Sequence, residues 1–302
     1  MKMMNAKILS ALVLSTLIST SMALATSESP MKEAPKMAEM SMSLAEIQAN
    51  SSSAMQIQND GISEHKGLGI TTGLEYAQKN AVDQRGTRDS ETNLLLAPSY
   101  TINSRLAVSA KGIITKQNSG PKDTTYSNTT VTLSIGGIQL NDQFKTLHSV
   151  AGVLPTSQDS QKIDRLKGGV SIKNGISFDY DKINLKYSIV LSQNFHEFNF
   201  NADGDANVQY RLGQSVEVAF FITDRFYITA AGIYRNGVTY GGFDRTAFGI
   251  DADLNYDLWK NFSLNLGTSN EGSAYKSNGV DSNISAYNDN TSVVRAGMSY
   301  VY

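Results

Sequence analysis

The 302-residue chain has no cysteine, so it carries no disulfide framework, no thiolate metal site and no cysteine nucleophile. It has five prolines, one tryptophan and three histidines (His65, His148 and His196). An excess of one charge is also missing. The formal net charge is -2 and the pI is near 6.0, so no basic footprint points to nucleic acid. Helical periodicity is hard to find after residue 64, and no apolar run is long enough to cross a membrane comfortably as a helix.

What is present is, first, a leader. Lys2 and Lys7 precede the apolar stretch "ILSALVLSTLIS", and Ala23-Leu24-Ala25 supplies a small-x-small cleavage pattern. The expectation is a secretory signal peptide over residues 1–25. Residues 26–64 are rich in Met, Ser, Ala and Gln and hold no aromatic. They read as a periplasmic N-terminal extension, disordered or forming a short helix around "KMAEMSMSLAEIQ".

From residue 65 on, apolar and polar residues alternate at period two. In "INLKYSIVLSQNF" Ile183, Leu185, Tyr187, Ile189 and Leu191 share one face, and Asn184, Lys186 and Ser188 the other. "AFGIDADLNYDLW" sets Phe248, Ile250, Ala252, Leu254 and Tyr256 against Asp251, Asp253, Asn255 and Asp257. Such segments are half-buried strands. About twelve recur, joined alternately by very short turns (103–105, 141–143, 180–182, 223–225, 260–261) and by long polar loops (79–92, 117–128, 156–164, 197–207, 236–245, 269–290). This predicts an all-β, antiparallel up-and-down transmembrane barrel over residues 65–302. A secreted β-sandwich also alternates, but its loops do not sort into a short end and a long end. Pro98 interrupts the second strand, and Gly136-Gly137 suggests a bulge.

The last ten residues, "VVRAGMSYVY", place Val294, Ala296, Met298, Tyr300 and Tyr302 on one face and Arg295, Gly297 and Ser299 on the other. Gly297, Tyr300 and the terminal Tyr302 resemble the C-terminal assembly signal of Gram-negative outer-membrane β-barrel proteins, porin-like and of about twelve strands. The resemblance implies an outer-membrane location, lipid around the barrel and the barrel-insertion machinery as a partner; it leaves a homo-oligomer open.

Strand parity makes the inner wall strongly charged. Its expected lining residues are Glu75, Lys111, Arg165, Lys167, Lys173, Asp179, Lys186, Arg211, Glu217, Arg235, Asp251, Asp253, Asp257 and Arg295, with the basic residues concentrated on the strands around 165–211 and the acidic ones on the strand around 251–257. Opposed walls of this kind would set up a transverse field in a water-filled lumen. The functional expectation is a narrow channel for passive diffusion of small hydrophilic solutes or ions. The alternative is a non-conducting structural or adhesive barrel whose external loops bind a partner. Catalysis is not expected, because adjacent His148 and Ser149 point to opposite faces of their strand and cannot form a base–nucleophile pair. No motif calls for a cofactor. "NADGDAN" (201–207) alternates oxygen side chains as a calcium loop does, but Ala206 stands where glycine is needed, so no metal is expected.

If the tail is the assembly signal, Tyr302→Ser will sharply reduce the heat-modifiable, folded form in outer-membrane fractions. Undiminished folded protein would show that the tail has no such role.

Overall fold

A computed structural model describes residues 67–82, 86–119, 123–276 and 278–302. The expected signal peptide and N-terminal extension, with His65, lie outside the described residues. The elements run β1 (Gly67–Val82), β2 (Arg88–Asn103), β3 (Leu106–Gln117), β4 (Thr124–Tyr126), β5 (Thr129–Ile135), β6 (Phe144–Leu154), α1 (Gln158–Lys162), β7 (Leu166–Tyr180), β8 (Ile183–His196), β9 (Val208–Phe221), β10 (Phe226–Thr239), β11 (Asp244–Trp259), β12 (Phe262–Ser273) and β13 (Val293–Val301).

Twelve of these strands close into one antiparallel barrel in which each pairs with its neighbours in sequence; β4 is a short extra strand on β3. Closure is made by β13 against β1, with Thr71 opposite Val301, Glu75 opposite Gly297 and Ala77 opposite Arg295. The terminal residue is part of the seam. The Tyr302 N–H donates to the Ile70 carbonyl at 2.9 Å and the Ile70 N–H donates back at 3.1 Å. In hydrocarbon an unpaired strand edge has no water to satisfy it, so an ordered C-terminus is a requirement of closure.

The pleat sorts side chains inside out relative to a water-soluble protein. On β1, Leu68, Ile70, Leu74 and Tyr76 are exposed outward while Thr71, Glu75 and Ala77 are buried inward. On β8, Ile183, Leu185, Ile189 and Leu191 are exposed, whereas Lys186 and Ser188 are buried. On β11, Leu254 and Tyr256 face out, and Asp251, Asp253 and Asn255 face in. Each fully buried leucine-sized side chain is worth about 1.5–3 kcal/mol, so the outward belt is favourable only with lipid around it.

An aromatic rim marks the short-turn end. The Phe144 and Phe178 rings lie 4.8 Å apart, Phe178 stacks on Tyr180 at 6.2 Å, and Trp259 meets Phe262 at 5.5 Å. Trp259 faces outward because a bulge after Asp257 shifts the register and sets it opposite Phe262.

Several boundaries differ from the sequence reading. The fourth barrel strand, β5, ends at Ile135 and not near residue 140. A Cβ on Gly137 would lie 1.6 Å from the Thr146 carbonyl oxygen and one on Gly136 3.0 Å from the Arg105 Cα, so this glycine pair lets the chain leave the ladder. Residues 236–245 are not a long loop; β10 and β11 extend to a four-residue connection, 240–243, with Gly242 at φ 79°. The strands likewise consume most of 79–92. The 156–164 loop contains α1, capped by the Ser157 side chain accepting the Ser160 N–H. Pro98 sits where β2 keeps its register with β1 while the β2–β3 register skips Ala97 and Pro98, so its missing N–H costs no ladder bond there.

The long connections are expected on the outer side. An epitope inserted at Val280, in the 274–292 connection, will be labelled on intact cells, and one at Asp142, in the 136–143 connection, will not. Labelling at 142 alone would reverse the orientation.

Candidate functional site

The inner wall is set by registers that bring glycine and alanine opposite long charged side chains. Along one inward-facing row, Asp253 pairs with Gly267, Gly267 with Arg295 and Arg295 with Ala77. Because Gly267 has no side chain, the carboxylate of Asp253 lies over it and meets the Arg295 guanidinium from two strands away. A Cβ on Gly267 would fall 1.8 Å from Asp253 Oδ1.

Arg295 is the centre of this wall. Its Nε and Nη2 donate to Asp253 Oδ1 and Oδ2 at 3.0 and 2.8 Å, a bidentate pair. Its Nη1 lies 2.9 Å from Asp251 Oδ1, and its Nε lies 4.0 Å from Glu75 Oε2. The Arg295, Asp251 and Asp253 side chains are only 1–2 % exposed. Four strands meet at this cluster: β11 brings two aspartates, β12 the gap, β13 the arginine and β1 the glutamate. Removing one partner from a buried ion pair costs about 3–5 kcal/mol, because the other charge is stranded.

Polar groups continue from the cluster. Asn255 Nδ2 donates to Thr229 Oγ1 at 3.1 Å, and Ser263 Oγ donates to Asp257 at 2.7 Å. On the far side of the row, Lys186, Glu217, Ala231 and Asp251 are successive register partners on β8 to β11, so Lys186 stands directly beside Glu217. Lys111 on β3 and Lys173 on β7 face the lumen within electrostatic range of each other. Arg211 and Arg235 face inward on β9 and β10. Asp179, also on the inward parity, is at the short-turn end, where Asn184 donates to it.

Two expected lining residues are elsewhere. Arg165 precedes β7 in a left-handed conformation (φ 53°), and its carbonyl accepts the Glu197 N–H at 2.8 Å. Lys167 is carried to the long-loop rim by the register shift between Leu166 and Gly168, and there makes an exposed ion pair with Glu197 at 3.3 Å. Period-two counting could not see that bulge. Nor do Asp251 and Asp253 form an open acidic wall; they are spent on Arg295. The sequence signals for this were an arginine two residues before Gly297 and the D-x-D spacing on β11.

The two described histidines and the acidic loop make local contacts. His148 faces outward, with Nδ1 2.8 Å from Asn174 Oδ1 and Nε2 2.9 Å from Thr146 Oγ1. His196 packs edge-on against Tyr240 at 5.7 Å. In "NADGDAN", the Asn201 side-chain oxygen accepts the Asp203 and Asp205 N–H groups at 3.0 and 2.8 Å, which makes the segment a turn. Among the described residues no group of acidic or histidine side chains is placed to hold a metal.

No protein-family model matches the chain, and no curated protein matches its sequence. Among solved structures it is similar to an outer membrane channel from Pseudomonas putida F1, with a TM-score of 0.56 and 10% identity over 80% of this chain and 98% of that one. It is also similar to the NanC porin, with a TM-score of 0.48 and 12% identity over 77% of this chain and 98% of that one. The fold is that of an outer-membrane β-barrel. Its apolar outer belt and polar interior require the lipid surroundings that such a membrane provides.

Gly249 and Gly267 are both inward-facing glycines beside the cluster, yet only Gly267 is crowded; a Cβ at Gly249 meets nothing within 4 Å. Gly267→Ala is expected to lower the unfolding free energy of the folded barrel by about 2 kcal/mol, and Gly249→Ala to leave it unchanged or raised slightly. Equal effects in urea titrations followed by Trp259 fluorescence would contradict the placement of Asp253 over β12.

Proposed function

We propose that the barrel is a narrow, water-filled channel for passive diffusion of small hydrophilic solutes or ions. The observation that supports this reading is the placement of two like charges, Lys111 on β3 and Lys173 on β7, on the inward-facing parity of their strands. In a dry, side-chain-filled interior each ammonium would cost several kcal/mol to desolvate, and their repulsion would add to it. Water filling the lumen would screen such like charges from one another. The Arg295 cluster fits the same picture. It ties the acidic strand down against one wall, so that the lumen beside it is left to water and to the basic strands. Twelve strands lie between the eight that side chains fill and the sixteen or more that leave a wide pore, which suits a narrow path.

Purified, refolded protein will give discrete, ohmic conductance steps in a planar bilayer. Bilayers that stay sealed while the inserted protein is shown to be folded by its heat-modifiable mobility would overturn the channel reading and favour a non-conducting barrel.

A further inference from the structure

The outer face of the barrel is not apolar all the way round. His148, Asn174, Ile189 and Gln214 are successive register partners on β6 to β9, each close to the midpoint of its strand. They share the outward parity of Val150, Ile172, Leu191 and Val216, all of them exposed. An imidazole and two carboxamides therefore cross the apolar belt at mid-strand. The equivalent row on the far side of the barrel is Ile114, Leu94, Leu74, Met298 and Leu264, on β3, β2, β1, β13 and β12, and it holds no polar side chain.

Each carboxamide in the polar row is satisfied at one end only. Asn174 Oδ1 lies 2.8 Å from His148 Nδ1, and Gln214 Oε1 accepts the Tyr187 hydroxyl at 3.2 Å. His148 is closed off on its other side by Thr146, whose Oγ1 lies 2.9 Å from Nε2. Among the described residues, neither Asn174 Nδ2 nor Gln214 Nε2 donates to any acceptor. Hydrocarbon offers no acceptor either, so an amide left against lipid carries the desolvation cost of its N–H groups. A protein surface that returns the hydrogen bonds removes that cost.

The placement of the two amides points to what that surface is. Asn174 on β7 and Gln214 on β9 stand one strand to either side of Ile189 on β8. A two-fold axis along the barrel, passing in front of β8, lays the β7 side of one copy against the β9 side of the other. Carboxamide then meets carboxamide, and each brings free N–H donors and a remaining oxygen lone pair, so the two can bond reciprocally. The face is self-complementary, as an isologous contact requires.

We propose that the β6–β9 wall is a dimer interface between two copies of this chain in the membrane, centred on Ile189 and held by Asn174 and Gln214. The interface is independent of whether the lumen conducts.

The chain has no cysteine, so single introduced cysteines report its contacts directly. Full-length barrel refolded in lipid vesicles will form a disulfide-linked dimer on oxidation when it carries Ile189→Cys, and little when it carries Leu74→Cys on the far wall. Single-molecule photobleaching in such vesicles will show dimers of the unsubstituted protein. The pair Asn174→Leu/Gln214→Leu will need about tenfold or more higher density in the membrane to associate, because the reciprocal polar contacts are gone. Leucine suits a lipid-facing position, so this pair is expected to keep its heat-modifiable mobility. Monomers at every density, equal crosslinking at 189 and 74, or unchanged association of the folded leucine pair would overturn the proposal. Capture of a different protein by the Ile189→Cys barrel in cells, with the purified protein monomeric, would overturn it as well.

Discussion

The barrel depends on one arginine. Arg295 sits on the last strand, contacts both aspartates of a strand two places away and comes within ion-pair range of the glutamate on the first strand. Backbone ladders alone make β1 and β13 neighbours, but a ladder can slip, and a slip by one residue would turn every outward side chain inward. A bidentate contact to Asp253 across the Gly267 gap exists in only one register. The charge cluster and the closing seam are therefore the same structure. The glycine that appears incidental in β12 is what allows them to coincide.

The inversion of the pleat follows from the solvent. Leucine, isoleucine and aromatic side chains are exposed on the outside, where lipid would cover them, while serine, threonine, asparagine and charged side chains are buried inside. Charge is distributed unevenly within that interior. The acidic groups of β1 and β11 converge on Arg295, while inward arginines and lysines stand on β9 and β10 beside β11 and on β3 and β7 further round the barrel. The negative side of that interior is a tied ionic knot. This differs from two open walls of opposite sign.

Architecture was legible because period-two alternation and the sorting of turns by length are both direct consequences of a closed, membrane-spanning sheet. "INLKYSIVL" and "DADLNYDL" show their faces without any structure. The tail was legible for the same reason, as Val294 to Tyr302 must alternate to close on β1. Other features are not encoded locally. Arg165 and Lys167 were read as lining residues because parity counting assumes no bulge, and the shift beside Gly168 breaks the count. The convergence of Asp251, Asp253 and Arg295 depends on register across three strands and on Gly267, information that a single segment does not hold.

A double-mutant cycle between Arg295→Met and Asp253→Asn, read from urea unfolding of the barrel folded in lipid vesicles, tests the central claim most directly. If the guanidinium and this carboxylate hold the seam in register, each single change will be strongly destabilising and the pair will show a coupling of about 2 kcal/mol or more, as expected for residues in direct contact within one network. Effects that add to within about 0.5 kcal/mol, as they do for distant independent sites, would contradict the account.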